Sequence, residues 1–148
     1  MDRPFVSEND QARERLISLA KRLTDEELKL VLGNGWTIAV ALAHLAFWDQ
    51  RSLFLMRKWK KSGVELSPID IDLTNDSLLS LWLALPPRAA AELAVASAEA
   101  IDRELEAAAP EMIAAIESLR EKFRLYRSIH RKLHLDEIEE LLQKRIRH

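Results

Sequence analysis

Apolar residues recur every three or four positions along most of this chain and do not alternate with polar ones, a pattern of amphipathic helices without strands. A first helix is expected to start after Ser7, with Ala12, Leu16, Leu19, Ala20 and Leu23 on one face and Arg13, Glu14, Lys21 and Arg22 outside. Thr24 and Glu27 have capping-box spacing and predict a short helix over Asp25 to Leu32, which Gly33-Asn34-Gly35 then ends. Thr37 is a good N-cap for the next helix, Ile38 to Trp59, which is apolar around most of its circumference until Arg51, Arg57 and Lys58, as a central bundle helix would be.

Lys60 to Asp72, with Gly63 and Pro68, is expected to be a loop. Helix should restart after Thr74 or Asn75, either of which can cap it, and stop at Pro86-Pro87. Pro87 suits the first turn of the following helix, in which Ala90, Leu93, Ala94, Ser97, Ala100, Ile101, Leu105 and Ala108 form a small-residue stripe suited to close packing. Pro110 breaks that helix. A last helical stretch should place Phe123, Tyr126, His130, Leu133, His134, Ile138, Leu141 and Leu142 on one broad face, with Arg131, Lys132, Asp136, Glu139 and Glu140 away from it. Four long helices joined by shorter ones predict an all-α four-helix bundle forming a single domain over residues 1–148.

Composition agrees, since 3 glycines and 5 prolines among 148 residues give sheets few turns. The formal net charge is -2, with both signs interspersed, so no basic footprint for nucleic acid is expected. Lys144, Arg145, Arg147 and His148 are basic, but cations in a final helical turn complement the helix dipole. The N-terminal residues lack the basic-then-apolar order of a secretory signal, and a cytoplasmic location is expected. Leu30 to Trp48 is free of charge, yet its two glycines and His44 favour a buried segment over a membrane span. With no cysteine, disulfides, cysteine-bound zinc and a protein thiol nucleophile are all excluded.

The remaining chemistry lies in histidines. His130 and His134, four residues apart, stand one above the other on a helix and can aim at a common point. His44 lies within the apolar stretch of a helix that a bundle would bring against theirs. Three nitrogen ligands with further positions open is a catalytic arrangement, because a closed structural zinc site has four protein ligands. A single core histidine is more often satisfied by a carbonyl or carboxylate, which leaves a metal-free scaffold packed on Trp36, Trp48, Trp59 and Trp82 as another reading. The pair is not a zincin motif, because Arg131 occupies the position of the glutamate base. Asp49, Tyr126 and Glu137 are candidates to orient an imidazole or move a proton, and His148 is expected to be exposed and inert.

Taken together, Gly35-Trp36-Thr37, Ala43-His44-Leu45-Ala46-Phe47-Trp48-Asp49, Asp72 with Asn75, and His130-x-x-x-His134 followed by Asp136, Glu137 and Ile138 resemble the DinB/YfiT-like superfamily of metal-binding four-helix bundles. The resemblance spans most of the chain. It implies that His44, His130 and His134 hold a divalent ion, nickel or zinc, with open positions for a small-molecule substrate, and that the protein forms a homodimer. Members include transferases and isomerases using a low-molecular-weight thiol, such as mycothiol, bacillithiol or glutathione, and metal-dependent hydrolases. The chain stops just after the fourth helix, without the additional C-terminal domain of some mycothiol-dependent members, which disfavours an isomerase. A charged thiol would need cations, for which Arg51, Arg57 and Arg127 are candidates. The expected function is thus that of a small metalloenzyme, a thiol S-transferase or hydrolase. The alternative is a non-catalytic bundle in which the ion ties helices together.

Overall fold

A computed structural model describes residues 2–147. The helices are α1 (Pro4–Arg22), α2 (Asp25–Leu28), α3 (Ile38–Ser62), α4 (Ile71–Ala84), α5 (Pro87–Ala107), α6 (Pro110–Ser118) and α7 (Ser128–Arg147), with a 3-10 turn at Lys122–Arg124. No strand occurs among the described residues, beyond one isolated bridge between Val31 and Thr37. The long helices α1 and α3 each pack against both α5 and α7, so the fold is the all-α bundle that the periodicity predicts. The expectation for His148 lies outside the described residues. No described helix is long and apolar enough to cross a membrane.

Several boundaries follow the local chemistry. Thr24 and Glu27 form both halves of the capping box, and the Thr37 hydroxyl accepts from the Val40 amide. Pro87 sits in the first turn of α5. Other boundaries differ from expectation: α3 runs on to Ser62 past Trp59, and the last helical stretch is split into α6 and α7, leaving Phe123 and Tyr126 outside both. Helix α1 begins at Pro4, a full turn before the expected start, because proline presets the first helical dihedral and the added turn buries Phe5. Arg3 fixes this end by donating to the carbonyls of Glu106 and Ala108 at 2.9 and 2.7 Å. Helix α2 stops at Leu28, and the chain turns through Gly35, whose φ of 88° is open to glycine. The cap of α4 is Asp70, whose carboxylate accepts from the Leu73 amide at 3.2 Å, so Thr74 and Asn75 lie inside the helix.

The interior is layered along the bundle. One apolar cluster gathers Leu16, Leu19, Ile38, Leu42, Leu45, Ala94, Ala98, Leu135 and Ile138, and a second gathers Phe5, Leu53, Met56, Trp59, Ile101, Leu105, Ile113 and Ile116. Between these stretches of the helices lie the buried polar residues Asn9, Asp49, Asp102, Arg127 and Arg131. Two expected faces are therefore corrected. Leu93, placed in the α5 stripe, is 45% exposed, while Asp102 is buried beside Ile101. On α7, Leu133 is 56% exposed and Arg131, expected outside, is fully buried, because the helix is turned to feed a guanidinium to two buried carboxylates. Phe123 is likewise exposed and precedes α7.

Candidate metal centre

The packing of α3 against α7 brings His44 onto the pair His130 and His134, which one helical turn stacks on the same side. Nε2 of His44 lies 2.7 Å from Nε2 of His130, which in turn lies 3.2 Å from Nε2 of His134. One nitrogen from each ring falls within 4.8 Å of the others. Nitrogens that share a zinc ion at about 2.0–2.1 Å in tetrahedral geometry sit roughly 3.3 Å apart, so small ring movements bring all three onto one ion.

Protonation favours the same chemistry. Burial, with the like charge of His134, pulls His44 down to about 4 against the opposing pull of nearby Asn75. His130 is pulled to about 2 by burial, the other two imidazoles and the guanidinium groups of Arg127 and Arg131. Burial also lowers His134, opposed by Glu137. The imidazoles are therefore neutral at pH 7, the form that ligates metal. Nδ1 of His44 and Nδ1 of His134 are buried without a hydrogen-bond partner. The Glu137 carboxylate lies 3.6 Å from Nδ1 of His134, just outside hydrogen-bonding range. A buried cluster of three neutral histidines with converging nitrogens could hold a metal ion.

Tryptophans wall one side of the cluster. The ring centroid of Trp36 is 4.9 Å from that of His44 and 6.4 Å from that of His134, nearly parallel to the latter. Trp82 and Trp48 lie 5.5 and 6.5 Å from His44. Trp48 donates from its indole nitrogen to Oδ1 of Asn75 at 3.0 Å, fastening α4 over α3. The turn after α2 positions Trp36, whose amide donates to Oδ1 of Asn34 and whose carbonyl accepts from Leu32. Trp59 is elsewhere, in the second apolar cluster.

Beside His130 lies the polar layer. Arg131 donates to Oδ2 of Asp49 from Nε and Nη2 at 3.3 and 3.2 Å, and to both oxygens of Asp102 at 2.9 and 2.8 Å. It also reaches the carbonyls of Asn9 and Ala98. Arg127 donates to the other oxygen of Asp49 at 2.9 Å, and Arg13 to Asp102 at 2.7 Å. Asn9 donates to the Leu125 carbonyl and accepts from the Ser128 amide at the start of α7. Four helices are thereby joined at the level of the histidines.

Among the residues considered for proton transfer or imidazole orientation, only Glu137 approaches a histidine. Asp49 serves the two arginines instead of an imidazole, and Tyr126 packs edge-on to Phe5 with Lys122 over its ring. The candidate thiol-binding cations are also engaged: Arg51 with Ser67, Arg57 with Glu104, and Arg127 with Asp49. Arg131 was not foreseen, although Asp49 and Asp102 on apolar faces signalled that a buried cation was required.

The DinB superfamily model matches residues 8–147. No curated protein and no solved structure matches the chain. The match covers nearly the whole sequence, including all three converging histidines, and the chain belongs to the DinB superfamily.

Proposed function

We propose that this protein is a small metalloenzyme in which His44, His130 and His134 hold a divalent ion, nickel or zinc, and which catalyses thiol-dependent S-transfer or hydrolysis on a small electrophilic molecule. The observation that carries this reading is the convergence of three neutral Nε2 atoms from two helices on one point. A bound divalent ion would supply Lewis acidity, lowering the pKa of a coordinated water or thiol toward neutrality. A thiol nucleophile must come from outside the chain, which has no cysteine.

The residues around the histidines divide the remaining work. A small side-chain rotation would let Glu137 accept from Nδ1–H of His134, fixing the tautomer that leaves Nε2 free as a ligand. The indoles of Trp36, Trp48 and Trp82 exclude bulk water from His44. The Arg131 layer holds α7 in the rotation that presents both of its histidines.

Elemental mass spectrometry of untagged protein tests the proposal, beside a folded His44→Ala, His130→Ala, His134→Ala variant. Near-stoichiometric nickel or zinc in the wild type and none in the variant is expected, followed by S-transfer or hydrolysis that chelation abolishes. Metal-free protein that resists reconstitution would end the metalloenzyme reading. The non-catalytic alternative requires the ion as a tie between α3 and α7, yet the Arg131–Asp49 pair already joins those helices. It would be supported by a bound ion whose removal lowers the melting temperature but at which no thiol or water exchanges.

A further inference from the structure

The three histidines have two different sides. Arg127 and Arg131 act on His130, whereas His44 and His134 face indoles. Trp36 is the distinctive wall residue. It is half-buried, touches both His44 and His134, packs edge-on against Trp82 at 5.9 Å, and rides on the glycine-containing turn that follows α2. A molecule reaching the ion from this side must pass the face or edge of that indole. Beyond it Phe47 packs against Trp48 and Trp82, extending the aromatic surface.

The Glu137 carboxylate lies on the Nδ1 side of His134, not at the Nε2 that would face the ion, and the ion's own charge would attract an anion, so the walls sort ligands by shape and apolar surface. A flat apolar ring loses little hydration against the indoles and gains edge or offset contacts with Trp36 and Trp82.

We propose that the molecule handled at this site carries a flat, apolar body that packs against Trp36, so that an aromatic thiol is preferred over a small aliphatic one. This rests on the metal-site reading above and names the ligand class that the surrounding walls select. Trp36 acts as a specificity-determining residue through direct contact with the ligand.

Cobalt-loaded, untagged protein provides the test, because cobalt absorbs when coordinated and gains a charge-transfer band when a thiolate joins it. The cobalt spectrum is recorded first. Two neutral thiols of similar acidity are then titrated at one fixed pH: phenylmethanethiol, which is aromatic, and 2-mercaptoethanol, which is small. Phenylmethanethiol is expected to bind about tenfold or more tighter, as one additional aromatic packing contact allows. Trp36→Ala should remove that preference, while Trp36→Phe retains most of it. Equal or tighter binding of 2-mercaptoethanol, or an unchanged ranking in Trp36→Ala, would overturn the inference while leaving the metal site intact. A missing cobalt spectrum before any thiol is added would remove the metal reading and this inference together, so the two failures are distinguishable. The wild-type ranking decides the matter even if the alanine variant does not fold.

Discussion

Arg131 sits between two candidate ligands in sequence and beneath them in space, with its guanidinium shared between Asp49 and Asp102. Removing one partner from a buried ion network leaves charge without compensation, typically about 3–5 kcal/mol. Here Arg127 still serves Asp49 and Arg13 still serves Asp102, so Arg131→Met should cost about 3 kcal/mol, the low end of that range. Equilibrium urea unfolding measures it, and a loss below roughly 1 kcal/mol would mean that the layer contributes little. His44 gives a pH signature. Its pKa is 6.5 when unfolded and about 4 in the fold, so over that interval the unfolded chain binds more protons. Stability of the metal-free protein should accordingly fall as pH drops from 6.5 toward 4, with His130 and His134 adding in the same direction. Unfolding midpoints between about pH 6.5 and 5, above most carboxylate titration, check this, and a flat profile there would contradict it.

At the scale of elements, the start of α4 separates two capping schemes. Asp70 accepts from the Leu73 amide, whereas Thr74 lies within the helix and donates its hydroxyl to the Asp70 carbonyl. Asp70→Ala should therefore cost about 1 kcal/mol and Thr74→Ala appreciably less, as read by thermal melts of the two variants. Thr74 and Asn75 resemble caps because both side chains can accept from backbone amides. The choice fell to Asp70 because an earlier start lets Asn75 meet Trp48 and Trp82 reach His44. Thr24 with Glu27, Thr37 and Pro87 were legible because each acts within its own turn. The start of α1 was legible in Pro4 but masked by Ser7, and its burial depends on Phe5 meeting α6 and the second apolar cluster.

Across the whole molecule, helix class and the stacking of His130 with His134 followed from periodicity and spacing, since both are properties of single helices, whereas the meeting of His44 with that pair depends on how α3 and α7 are set against each other. The polar layer followed from neither. Arg131 joins residues 29, 82 and 122 positions away, and a periodic pattern scores an arginine as exposed whatever lies opposite it. With two apolar clusters and this layer already holding the bundle, an ion should add stability without being required for folding. Nickel or zinc at about 100 times its dissociation constant should contribute about 2.7 kcal/mol, a rise in melting temperature of roughly 5–10 °C. Calorimetry of the metal-free and loaded protein measures the difference, and a metal-free chain that is unfolded would show that the layer is insufficient. The tryptophan wall has one more consequence. Because three of the four indoles crowd His44 while Trp59 lies in the other cluster, the protein carries an intrinsic optical gauge of occupancy: nickel should quench most of the emission and leave Trp59 as an internal reference.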